Sequence, residues 1–222
     1  MGEKVTFERP DGGECSGYYA GPEAGGGAPG VVVIQEWWGL NDQIRGVADR
    51  LAESGYRALV PDLYRGNITL DAAEAEHMMG DLDFADAATQ DIRGAVQHLK
   101  QSSPKVAVLG FCMGGALAVL AAVHVEEAGA VVCWYGVPPE AAADTRTIGV
   151  PLQGHFALED DFFSPEQVDA LEERLKEGNV TYEFHRYRAK HAFGNENNED
   201  HDPEATALAW RRTLGFLAAH VE

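Results

Sequence analysis

The stretch Val106-Ala107-Val108-Leu109-Gly110-Phe111-Cys112-Met113-Gly114-Gly115-Ala116-Leu117-Ala118-Val119-Leu120-Ala121-Ala122 decides how the rest of the chain is read. Its first part is a short apolar run of the kind found in a strand buried on both faces. Its last part is an apolar run that reads as a buried helix. Cys112 stands between them, with glycine two positions before and two positions after. A nucleophile on a sharp strand-to-helix turn has this shape. The turn is strained, and small residues either side let the strand and helix backbones pass closely. The helix starting just beyond adds backbone N–H groups and a positive dipole end, which favour a thiolate. Taken alone, the pattern serves equally well for a buried cysteine in a glycine-rich connection, so the flanking elements must decide.

Working outward, strands and helices alternate. Upstream, Val5-Thr6-Phe7 and Ser16-Gly17-Tyr18-Tyr19 read as an antiparallel hairpin around Pro10-Asp11-Gly12-Gly13, and Gly21 to Gly30 as a flexible turn. Val31-Val32-Val33-Ile34 is a buried strand that exits into the unusually bulky Gln35-Glu36-Trp37-Trp38-Gly39. Asn41-Asp42 caps a helix with Ile44, Val47, Ala48, Leu51 and Ala52 on one face, stopped by Gly55. A strand over Arg57–Val60 follows, then helices over Asp71–Met79 and Asp83–Lys100. Downstream, strands are expected at Ala130–Tyr135, Val150–Phe156 and Val180–Phe184. Ser164-Pro165-Glu166-Gln167 is a capping box opening one helix, and Asp202-Pro203 opens the last. The alternation predicts an α/β fold with a mostly parallel sheet of about eight strands, an N-terminal antiparallel hairpin and helices on both faces. Residues 1–222 are expected to form one domain.

Composition bounds the function. The formal charge of −19 argues against nucleic-acid or anionic-membrane partners, and no apolar run is long enough to span a bilayer. Three cysteines, Cys15, Cys112 and Cys133, without a Cys-x-x-Cys spacing, argue against a disulfide framework or zinc finger and for a reducing cytoplasm.

A parallel sheet gathers its functional loops at the carboxyl ends of its strands. The reactive residues expected there are Glu36 with Trp37, Cys112, the cluster Glu159-Asp160-Asp161 with His155 nearby, and His191. Nucleophile, then acid, then histidine is the chain order of an α/β-hydrolase triad. From the residues alone, any member of the acidic cluster could serve. A reversibly oxidised thiol and a metal site built from His155, Glu159, Asp160, Asp161 and His191 are the competing readings.

Gly110-Phe111-Cys112-Met113-Gly114-Gly115, Gln35-Glu36-Trp37-Trp38-Gly39, His155-Phe156 followed by Asp160, and His191-Ala192-Phe193 together resemble the dienelactone hydrolase family, over nearly the whole chain. The resemblance implies a single-domain α/β hydrolase cleaving a small-molecule ester or lactone; no cofactor or metal is expected, and the chain is expected to be a monomer or small homo-oligomer. It implies Cys112 as nucleophile, His191 as base, Asp160 as the orienting acid, and Glu36 as a carboxylate that contacts the thiol and takes part in its activation. Backbone N–H groups of Trp37 and Met113 would form the oxyanion hole, and Trp38, Phe111 and Phe193 are expected to wall the pocket. Family members acting on dienelactone carry two arginines that bind its carboxylate. Neither the stretch after His191 nor that from Ile68 to Asp83 supplies one, leaving Arg65, Arg186 and Arg188 as nearby substitutes and a neutral substrate as open as an anionic one.

Overall fold

The computed structural model describes residues 2–22 and 27–222, so part of the expected Gly21–Gly30 turn lies outside the described residues. Eight strands form one sheet: β1 (Glu3–Glu8), β2 (Glu14–Ala20), β3 (Gly30–Ile34), β4 (Arg57–Pro61), β5 (Val106–Phe111), β6 (Ala130–Trp134), β7 (Leu152–Glu159) and β8 (Tyr182–Lys190). Their spatial order is β1-β2-β4-β3-β5-β6-β7-β8. The hairpin β1–β2 is antiparallel and joins antiparallel to β4, while every other pair is parallel.

The helices are α1 (Asp42–Glu53), α2 (Ala72–Asp81), α3 (Phe84–Asp86), α4 (Arg93–Lys100), α5 (Met113–His124), α6 (Pro165–Glu177) and α7 (Pro203–Val221). They cover both faces of the sheet. Because side chains alternate along a strand, Val32 and Ile34 join one core with Leu99, Leu117 and Leu171, while Val31 and Val33 join the other with Val47 and Leu217. Local chemistry sets the helix starts. The Asn41 side chain accepts the Ile44 N–H at 3.1 Å, Ser164 and Gln167 form the expected reciprocal box, and Asp202 accepts from Glu204 and Ala205.

The expected Asp83–Lys100 helix is continuous, but Ala87–Ile92 between α3 and α4 winds as a π-helix. Strand β7 runs past the expected end at Phe156 to Glu159, which delivers Asp160 directly at its carboxyl end.

The strand order turns back on itself at β3. The chain goes from β3 outward to β4 on one side and returns to β5 on the other, so the loops leaving β3 and β5 diverge. Crevices in open α/β sheets form at such a switch point. Register Ile34↔Gly110 sets the exit of β3 beside the exit of β5, and this is where Glu36, Trp37 and Cys112 meet.

Candidate active site

Cys112 is the single residue between β5 and α5, at φ 53 and ψ −119, a left-handed-side conformation that non-glycine residues avoid. The glycines around it make that turn possible. A Cβ on Gly110 would collide with the Gly114 carbonyl, and one on Gly114 would lie 2.5 Å from the carbonyl oxygens of Ile34 and Gln35. The turn is anchored from β6, where the Trp134 carbonyl accepts the Cys112 N–H at 3.0 Å.

His191 follows β8 and reaches back over the elbow. Its Nε2 lies 3.1 Å from Cys112 Sγ and its Nδ1 lies 2.9 Å from Asp160 Oδ2. The structure therefore brings Cys112, His191 and Asp160 into one line. Asp160 is held by a turn of its own sequence: Oδ1 accepts the N–H groups of Phe162 and Phe163 at 2.8 and 2.9 Å. Glu159 and Asp161 are exposed beside it. The imidazole is flanked by the rings of Phe162, Phe163 and Tyr135, with centroids 4.8, 5.7 and 5.3 Å away.

Glu36 is buried at the end of β3. Its Oε1 accepts from the Tyr135 hydroxyl at 3.2 Å and its Oε2 from Asn195 Nδ2 at 2.6 Å. Those two donors occupy the carboxylate, and among the described residues it makes no hydrogen bond to the thiol. Its charge acts on the thiol through space. Burial first, and then the Glu36 charge, push the Cys112 thiol well above its ordinary value, with the Met113 N–H pulling it partly back. Burial likewise raises Glu36, against its bonds from Asn195 and Tyr135 and the pull of His191. The helix start alone does not yield a resting thiolate here.

A cavity of about 250 Å³ opens over the sulfur, walled by Trp37, Trp38, Met113, Phe162, Phe163 and His191. Trp38 is one of its walls. Phe111 and Phe193 are not: both are buried in the core against Trp134 and Tyr135. Phe111 belongs to β5, one residue before the elbow, and a one-residue step along a strand turns a side chain to the opposite face. Among the described residues no acceptor takes the Trp37 N–H.

His155 is fully buried away from this cavity, with Nδ1 2.8 Å from the Tyr187 hydroxyl and Nε2 2.8 and 3.1 Å from Gln153 and Thr213. It braces β7 against β8 and α7 rather than joining His191. The substitute arginines are also committed elsewhere. Arg65 binds both oxygens of Asp91 at 2.9 Å, Arg186 binds Asp169 and Glu172, and Arg188 lies exposed on β8.

Several residues of the site carried no motif. Phe162 and Phe163 were detectable as the amides of an Asp-initiated turn. Tyr135 and Asn195 reach Glu36 only through the fold, from sequence separations of 99 and 159 residues.

This sheet order, with an elbow after β5 and partners at the ends of β7 and β8, defines an α/β hydrolase. The chain belongs to the dienelactone hydrolase family, whose profile matches residues 15–221. It is 34% identical to the protein usf of Aquifex pyrophilus over the full length of both chains. It is 32% identical to carboxymethylenebutenolidase 1 of Cupriavidus pinatubonensis over 91% of each. The crystal structure of a dienelactone hydrolase-like promiscuous phosphotriesterase from metagenomic libraries superposes with a TM-score of 0.83, at 26% identity over 98% of each chain. The protein is a carboxylic ester or lactone hydrolase of this family. No helix among the described residues is long and apolar enough to cross a membrane.

Proposed function

We propose that the protein cleaves esters or lactones through an acyl-thiol intermediate on Cys112, with His191 moving the protons and Asp160 orienting the imidazole. The observation that carries this reading is the unbroken line from Sγ through Nε2 and Nδ1 to a carboxylate oxygen, 3.1 and then 2.9 Å.

Because burial and Glu36 hold the thiol protonated, attack requires the proton to leave as the bond forms. Nε2 takes it while Sγ adds to the substrate carbonyl, and the carbonyl electron pair becomes an oxyanion. The Met113 N–H, already directed at the sulfur, and the free Trp37 N–H are the donors we assign to that oxyanion. Each such donor typically contributes about 2.7–4 kcal/mol. Collapse breaks the C–O bond, and the imidazolium returns its proton to the departing oxygen. Water then repeats the sequence on the acyl-thiol, releasing the acid and restoring the thiol. Asp160 Oδ2 keeps the proton on Nδ1, so that Nε2 is the basic nitrogen. Glu36 suppresses the thiolate until a carbonyl is in place.

The arginines of dienelactone-binding relatives have no counterpart in the Cys112 cavity, whose walls are largely apolar. This favours substrates whose reacting end is neutral. The free thiols Cys15, Cys112 and Cys133 fit a reducing compartment, and we place the enzyme in the cytoplasm. The test is turnover of a panel of aryl esters and enol lactones by the wild type, Cys112→Ala and His191→Ala. Hydrolysis by the wild type, lost in both variants, is expected. Undiminished turnover by Cys112→Ala would overturn the nucleophile, and activity abolished by a chelator would replace it with a metal mechanism.

A further inference from the structure

A second cavity, of about 530 Å³, adjoins the first and shares Met79, Met113 and Phe163 with it. Its walls are apolar almost throughout, with Ala116 of α5 on one side and the Val137-Pro138-Pro139 segment after β6 on another. Along α6 it is lined by Gln167, Ala170 and Arg174, residues spaced to share one helix face. Gln167 and Arg174 are seven positions apart, so the groove follows the helix for about 10 Å. Arg174 lines this groove and not the Cys112 cavity.

The guanidinium is the group that needs explaining. The Arg174 side chain is 15% exposed, and its Nε is buried with no hydrogen-bond partner among the described residues. Nη1 faces Glu140 Oε2 at 3.1 Å, and Glu140, on a short turn that also lines the groove, is 80% exposed. A buried cationic N–H without an acceptor is unfavourable. A guanidinium offers paired N–H groups that match a carboxylate. Apolar walls joined to the reacting sulfur at one end, and at the other a guanidinium whose one ion-pair partner among the described residues is the exposed Glu140, describe a substrate by its two ends.

We propose that the natural substrate is an ester or lactone with an extended apolar arm that ends in a carboxylate. The arm occupies the groove past Met113 and Phe163, and the carboxylate binds Arg174 in place of Glu140. This deepens the reading of Cys112 as nucleophile and rests on it. It separates two requirements, a neutral reacting end in the Cys112 cavity and an anionic tail remote from it. Arg174 is on this account a specificity residue with no part in the chemical step.

The test compares aryl monoesters of straight-chain dicarboxylic acids, from succinate to sebacate, with aryl esters of unsubstituted fatty acids of equal length. A parallel series of acetate esters of ω-hydroxy acids and of the matching plain alcohols covers an arm on the alcohol side. In one series, and over a narrow range of lengths, the acid-terminated ester should show the higher kcat/KM. Arg174→Met should lower that value about tenfold or more, with Arg174→Lys recovering part of it, while aryl acetate, too short to reach, is hydrolysed as by the wild type. Glu140→Gln, which removes the competing carboxylate, should raise it. A methyl-terminated preference at every length in both series would overturn the proposal, as would equal losses on aryl acetate and the acid-terminated ester in Arg174→Met. Calorimetric binding of monomethyl sebacate to Cys112→Ala, with and without Arg174→Met, reads the groove without catalysis. Binding lost with Arg174 supports the groove even if Cys112 proves not to be the nucleophile, and binding unaffected by Arg174 overturns it.

Discussion

Cys112 is held at φ 53 and ψ −119, a conformation that costs a non-glycine residue roughly 1–3 kcal/mol, and it is held there with its thiol protonated. Burial of the sulfur raises its pKa, and the Glu36 charge adds to that. Alkylation by iodoacetamide should therefore be slow at neutral pH and rise steeply toward alkaline pH. Glu36→Gln removes a negative charge that disfavours the thiolate, so its alkylation profile should move to lower pH; an unmoved or higher profile would contradict the coupling. Asp160 does two jobs with two oxygens. Asp160→Asn keeps an acceptor for the Phe162 and Phe163 amides and loses the charge facing His191, so kcat should fall by about 10³–10⁴ with little change in thermal midpoint. Asp160→Ala abandons the turn as well and should lose about 1–3 kcal/mol of stability besides.

At the scale of elements, the elbow is a three-way backbone junction of β5, α5 and the exit of β6. Gly110 and Gly114 were legible as a local pattern around the cysteine. Gly136 was not, because its constraint comes from residues distant in sequence: a Cβ there would run into the Cys112 carbonyl and the Ala116 N–H. Gly136→Ala should destabilise the protein by about 1–3 kcal/mol or more, read from its urea midpoint, and should impair turnover by displacing the elbow. A change within about 0.5 kcal/mol would show the junction to be compliant. The strand and helix alternation was legible for the same reason as the elbow, since periodicity and caps are local signals. The π-helical winding of Ala87–Ile92 leaves no such signal. The assignment of Phe111 and Phe193 to the pocket failed because aromatic residues beside a motif do not reveal which face of the sheet they take.

At the scale of the molecule, the switch in strand order assembles residues from four strand ends, and the buried network around His155 locks the β7–β8 edge that carries two of them. Burial, with His185 and Arg212 nearby, lowers His155 well below its ordinary value. Folding therefore requires it neutral. As pH falls below about 6.5 the unfolded chain takes up a proton that the folded protein refuses, and stability is lost from that point downward. Thermal midpoints should drop between about pH 7.5 and 5.5, and His155→Gln, although less stable at neutral pH, should show a shallower drop; an equal slope would remove His155 from the account. The substrate was the least legible feature at any scale. It depends on which side chains line the cavities, and Arg174 enters the groove through helix packing with no motif to mark it.

In the proposed reaction the acyl group passes through Cys112. Acid-quenching the enzyme early in turnover of a slowly deacylated aryl ester, then mapping peptides by mass, tests it most directly. The acyl mass is expected on the peptide containing Cys112, labile to hydroxylamine and absent from Cys112→Ala, which should also have lost turnover. Full turnover by Cys112→Ala, with that peptide unmodified in the wild type throughout, would contradict it.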